Sequence, residues 1–128
     1  MDQPVSSLMS FPVWTVPADD TIEQVEAELR DHQLSFAPVV ASPGNTVVGI
    51  ISASDLLQFR TAGRDPKAVR AWEICSYKPL VVGPGTAVGE VARMMVARGI
   101  HHVVVSEDEH IRGVVSSLDF VRKFLPEE

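Results

Sequence analysis

The chain has 128 residues, 45% of them apolar, which is enough for one compact domain with a core and too apolar for a disordered segment. A formal net charge of −6 without a lysine/arginine cluster argues against DNA or RNA as a partner, because phosphate contacts need concentrated positive charge. Apolar runs of a handful of residues exclude a membrane-spanning helix, and the single cysteine, Cys75, excludes an internal disulfide framework and a cysteine-rich zinc site.

The opening Met1-Asp2-Gln3-Pro4 has no basic region followed by an apolar stretch, so no secretory signal is read and a cytoplasmic location is expected. A strand is expected at Trp14-Thr15-Val16, then a turn at Pro17-Ala18-Asp19-Asp20 with Asp20 as helix N-cap. Ile22, Val25 and Leu29 follow at i, i+3 and i+7, a single buried helical stripe. Strands are expected at about 36–40 and 46–51, joined by the turn Ser42-Pro43-Gly44-Asn45. A second helix starts at Ser52, and the polar segment 61–70 reads as a linker. The same order then recurs: a strand at Leu80–Val82, a turn at Gly83-Pro84-Gly85, and Thr86 as N-cap. Next come the stripe Val88, Val91 and Met95, strands at about 102–106 and 111–115, and a last helix from Ser116.

A shift of about 66 residues overlays the chain on itself without a gap for some 30 positions. Ser7-Leu8-Met9-Ser10 falls on Glu73-Ile74-Cys75-Ser76, and Leu34–Val39 falls on Ile100–Val105. After a two-residue length change, Gly49-Ile50-Ile51-Ser52-Ala53-Ser54-Asp55 matches Gly113-Val114-Val115-Ser116-Ser117-Leu118-Asp119. One repeat alone buries a marginal core, so a single pseudo-symmetric α/β domain is expected over residues 1–128. Its first repeat spans 5–60 and its second 71–125.

The order strand, helix, Pro-Val-Val strand, turn, Gly-Ile-Ile-Ser-x-x-Asp resembles the CBS domain, and the duplication resembles a stand-alone CBS pair, or Bateman module. The resemblance covers roughly residues 5–125. It implies tandem repeats with pseudo-twofold symmetry, small β-sheets packed with amphipathic helices. It also implies a regulatory sensor for an adenosine-containing ligand, such as AMP, ADP, ATP, S-adenosylmethionine or NAD, in clefts between the repeats. The alternative is a degenerate pair that acts as a protein-interaction or dimerisation module without ligand. No cofactor is required under either reading.

Ser52-x-x-Asp55 and Ser116-x-x-Asp119 each fit a capping box at a helix start. The same place suits a ligand, because a helix N-terminus attracts phosphate and an ionised aspartate accepts the hydrogens of a ribose diol. Carried over from the resemblance, one cleft holds Thr15, Val16, Ser35, His102, Ser116 and Asp119. The other holds Val81, Val82, His101, Ser52, Ser54 and Asp55. Val81 stands where the first repeat has Thr15, so the second cleft lacks one side-chain donor. His101 and His102 are adjacent in a strand and point to opposite faces, a poor pair for a metal. Cys75, Met94 and Met95 read as packing residues, and Trp14 and Trp72 as packing anchors. No nucleophile–base pair, metal-ligand spacing or phosphate loop appears, so no enzymatic activity is expected. Leu56, Leu57 and Phe59, then Phe120, Val121 and Phe124, put apolar residues on more than one helical face and predict a homodimer. A regulated partner protein is implied without being identified.

Overall fold

The computed structural model describes residues 2–125. The chain divides into two compact units. One is continuous, Trp14–Pro79; the other is discontinuous, Met1–Val13 together with Leu80–Glu128.

In the continuous unit, β1 (Val16–Pro17) leads through α1 (Ile22–Asp31) to β2 (Phe36–Ala41), β3 (Thr46–Ser52) and α2 (Ala53–Thr61). A short helix α3 (Ala71–Ile74) and β4 (Ser76–Tyr77) close the unit. The four strands lie in the order β1-β2-β3-β4, with β1 parallel to β2 and the other pairs antiparallel. The valine-rich β2 is buried on both faces from Ala37 to Val40, as a covered strand should be. Ile22, Val25 and Leu29 form the buried stripe of α1 and meet Val39, Ile51, Leu56 and Phe59. Burying side chains of this size contributes about 1.5–3 kcal/mol each.

The discontinuous unit repeats the order with β5 (Val81–Val82), α4 (Val88–Arg98), β6 (His102–Glu107), β7 (His110–Ser116) and α5 (Ser117–Phe124). Its sheet runs β5-β6-β7. Val91, Met95, Val103, Val105 and Val115 make its core, which Val5 from the N-terminal segment completes.

The expected elements are present, with shifts at their ends. Thr21, not Asp20, caps α1, because Gln24 at the third helical position can return a bond to the Thr21 N–H (2.8 Å) while donating its own N–H to Thr21 Oγ1 (3.2 Å). Ala87, not Thr86, precedes α4 and offers no side-chain cap; the Val88 N–H donates instead to the Gln3 carbonyl at 2.8 Å. Segment 61–70 is more than a linker. Its end returns to the start of α1, where Ile22 N–H donates to Val69 O (2.9 Å) and Glu23 N–H to Pro66 O (3.0 Å), and Val69 is buried.

These contacts expose a regularity that the repeats alone did not. The segment leading into each sequence repeat packs in the unit built by the other. Met9 and Ser10 lie on β7, where Ser10 and Val114 exchange hydrogen bonds of 2.9 and 3.2 Å. Cys75 and Ser76 lie on β3, where Ser76 pairs with Ile50. Gly113 and Gly49 permit this approach: a Cβ on Gly113 would meet Met9 Sδ at 2.5 Å, and one on Gly49 would meet Ser76 O at 2.3 Å.

Candidate functional site

Both Ser-x-x-Asp segments sit at the handover from a strand to a helix. In the continuous unit the Ser52 N–H and Oγ–H donate to Asp55 Oδ2 at 2.8 and 3.0 Å, and the Asp55 N–H returns a bond to Ser52 Oγ at 3.3 Å. In the discontinuous unit the Ser116 N–H and Oγ–H donate to Asp119 Oδ2 at 2.7 and 3.2 Å. The capping expectation holds at both places. In each case the bonds run through Oδ2, and Oδ1 makes no hydrogen bond among the described residues. Each carboxylate therefore keeps an acceptor for a ligand hydroxyl while its other oxygen fixes the rotamer. Asp55 and Asp119 are half-buried, so that acceptor is only partly hydrated.

The strand register brings a third residue to each helix start. His102 pairs with Ser116 across β6 and β7, which sets His102, Ser116 and Asp119 together. In the continuous unit Phe36 occupies the place of His102 and pairs with Ser52. Ser35 stands beside this group, its carbonyl accepting the Ala53 N–H at 2.8 Å, and Ser54 is exposed on the first turn of α2. The equivalent of Ser35 is His101, exposed, whose carbonyl accepts the Ser117 N–H at 2.9 Å.

The strand residues are less uniform. Thr15 is half-buried just before β1. Val16 is buried in the core beside β2, so it offers a ligand its backbone alone. Val81 is 46% exposed and Val82 half-buried. Trp14 is not a strand residue; its ring stacks on His32 with centroids 3.8 Å apart. Burial raises the Cys75 thiol above its ordinary range, which keeps it protonated and unreactive at neutral pH. Among the described residues no cluster of histidine, cysteine or acidic side chains could hold a metal ion.

One feature escaped the sequence reading. Within the discontinuous unit a groove of about 320 Å³ lies between α4 and α5, lined by Ala92, Met95, Val96, Ile100, Phe120 and Phe124, with His101 and Ser117 at its edge. Its signal was present: the second repeat is apolar at positions where the first is charged. The expectation of surplus apolar surface on both last helices also needs correction. Leu56 and Phe59 of α2 are core residues, 9% and 4% exposed, because α2 packs against the α1 stripe. Leu57 alone points out there, whereas Val121 and Phe124 of α5 are exposed and Phe120 is half-buried.

A family model described as the CBS domain matches residues 5–61 and 71–126. The chain is 23% identical over 112 residues to the uncharacterized protein YlbB of Bacillus subtilis, covering 88% of this chain and 76% of YlbB. It is 30% identical over 116 residues to an inosine-5'-monophosphate dehydrogenase of Korarchaeum cryptofilum, covering 89% of this chain but only 23% of that enzyme. The crystal structure of the CBS domain of a CBS domain containing membrane protein from Sphaerobacter thermophilus superposes with a TM-score of 0.83 at 26% identity, covering 98% of this chain and 90% of that one. No helix among the described residues is long and apolar enough to cross a membrane. Two matched repeats, each built as strand, helix, hairpin and Ser-x-x-Asp helix, make this chain a member of the CBS-domain family, in its paired form.

Proposed function

We propose that this CBS pair is a regulatory sensor module that binds an adenosine-containing ligand, AMP, ADP, ATP, S-adenosylmethionine or NAD, and that it works without catalysing a reaction. The observation that carries the reading is the doubled Ser-x-x-Asp geometry, in which one carboxylate oxygen is committed to the helix cap and the other is left to accept from a ribose hydroxyl. The N–H groups and dipole of the adjacent helix start favour a phosphate or a carboxylate. Thr15, Ser35 and His102 are the further polar side chains assigned to the better-equipped site, and Val81 leaves the other one poorer. The module operates in the cytoplasm and self-associates as a homodimer.

Isothermal titration with AMP, ATP and S-adenosylmethionine tests this. Asp119→Ala weakens binding by about tenfold to a hundredfold, the loss of a charge-assisted hydrogen bond. Asp55→Ala has the smaller effect at low ligand concentration. Both variants lose about 1 kcal/mol of helix capping, so affinity is read well below the melting temperature. No heat with any adenosine compound sinks the reading, and a loss confined to Asp55→Ala reverses the ranking of the sites. The alternative, an interaction module without ligand, draws its support from the apolar groove.

A further inference from the structure

We infer that a polar pocket beside α2, lined by Asp55 and Arg64, binds a free aliphatic α-amino acid, with Arg64 on its carboxylate and Asp55 on its ammonium group. The inference goes beyond the adenosine reading, with which it shares only the Asp55 acceptor.

One stripe of α2 and the turn that follows it build the pocket. Asp55, Gln58, Phe59 and Ala62 recur at i, i+3, i+4 and i+7, and Ile74 of α3 joins them in the lining. Beyond α2 the chain reverses at Gly63, whose φ of 74° lies in the left-handed region that suits glycine. The reversal returns Arg64 over α2, and its guanidinium carbon lies 5.6 Å from the centre of the Phe59 ring. Phe59 is a core residue, so its ring is a fixed platform for the cation. The Arg64 N–H groups make no hydrogen bond or ion pair among the described residues, and Asp55 Oδ1 makes none either.

Size and charge select the ligand. The pocket holds about 200 Å³, less than the roughly 300 Å³ at which sites for drug-sized molecules begin. A leucine-sized molecule fits that space, and a whole nucleotide does not. The lining carries one carboxylate and one guanidinium, so its formal charge is zero, and Gln58 adds a neutral amide. A phosphate would be drawn by Arg64 and repelled by Asp55, and a metal ion would meet the reverse. A zwitterion meets both charges with the right sign. The planar guanidinium takes a carboxylate through two parallel N–H bonds, and the free Asp55 oxygen accepts from an ammonium group. Phe59, Ala62 and Ile74 give an aliphatic side chain apolar contact, which favours leucine or methionine over glutamate.

Isothermal titration of the full chain with L-leucine or L-methionine, from about 10 µM to about 10 mM, tests the inference. Saturable binding is expected. Isopentylamine, which lacks the carboxylate, and α-ketoisocaproate, which lacks the ammonium group, bind at least about tenfold more weakly than leucine. Arg64→Gln lowers leucine affinity by about tenfold to a hundredfold. Arg64 is exposed and lies outside α2, so this variant keeps its fold. Asp55→Asn has a similar effect while keeping an oxygen to accept the Ser52 N–H, and its melting temperature checks that the helix start survives. Arg98→Gln, which removes an exposed cation of the discontinuous unit, binds leucine as the wild type does. The absence of saturable leucine or methionine binding overturns the inference. So does binding that Arg64→Gln leaves intact, or that the amine or the oxo acid matches. The same samples titrated with AMP read the adenosine proposal by itself. Heat from AMP and none from leucine overturns the inference alone, and the reverse overturns the adenosine reading alone.

Discussion

In the continuous unit α2 presses Leu56 and Phe59 into the core and ties its outer surface to α1 through Glu26 and Arg60; in the discontinuous unit α5, in the same place, buries no residue fully and sets Phe120 partway against the core. The strands and the helical stripe are nearly interchangeable between the units: Val25 and Val91 are both fully buried, as are Ile51 and Val115. Duplication has preserved what makes a β-α-β layer close and released what lies outside it. Divergence in charge at equivalent surface positions makes the two helical faces chemically different.

The comparison breaks most readily at its largest contrast. Phe59→Ala should cost about 3–5 kcal/mol, because it empties a core site. Phe124→Ala should change stability by no more than about 0.5 kcal/mol. Urea denaturation at low protein concentration measures both, and equal losses would show that α5 is a core helix after all.

A finer contrast lies at the two strand glycines. Gly49→Ala would drive a methyl group against the Ser76 carbonyl and Cys75 Sγ, backbone and buried side chain that cannot yield. Gly113→Ala would meet Met9 at Sδ, Cγ and Cβ, and the Cβ, 2.9 Å away, is held by the backbone of the entry segment. The first should cost about 3 kcal/mol or more and the second about 2 kcal/mol, because Met9 Sδ can turn away and its Cβ cannot, read from denaturation midpoints.

The hairpins differ as well. The first puts Gly44 and Asn45 at positive φ, residues suited to it; the second puts Asp108 and Glu109 there, at 51° and 64°. Asp108→Asn with Glu109→Gly should stabilise the protein by about 1 kcal/mol, seen as a higher melting temperature. An unchanged or lower value would show that the acidic pair serves that turn in another way.

The smallest effect concerns Asp20. Burial, with Glu28 nearby, raises its carboxyl above the ordinary 3.8. The folded state thus holds the proton more tightly than the unfolded one, and stability falls as pH rises through the raised value. Asp20→Asn should therefore melt higher than wild type at pH 7 and lose that advantage near pH 3, where both side chains are neutral. An advantage that persists at low pH would assign the gain to something other than ionisation.

The sequence made local order legible. The stripe Ile22, Val25 and Leu29 identified a buried helix face, and Ser52 and Ser116 marked two helix starts that the structure places there. What stayed hidden depended on a partner distant in the chain. Asp20 resembles a cap as strongly as Thr21 does until Gln24 is seen to reach back to one of them. Nothing within Val5 or Ala71 announces that each is fully buried, because their neighbours are supplied by remote segments. Of the candidate site residues, the helix-start pairs were readable as a local motif, whereas the withdrawal of Val16 into the core follows from its pairing with Val39.

The exchanged entry segments put the period of duplication out of phase with the period of folding. A cut through 61–70 separates the genetic repeats but parts Val69, Ala71 and Cys75 from the core they complete, and leaves Val5 and Met9 on the wrong fragment. The span that carries every strand of its own sheet is Trp14–Pro79, which begins inside one repeat and ends inside the next. Its counterpart needs two pieces of chain, so a break anywhere in the central span leaves those pieces to find each other by diffusion. An insertion or loss of a whole repeat would strand an entry segment without its sheet, and the pair is thereby kept as a pair.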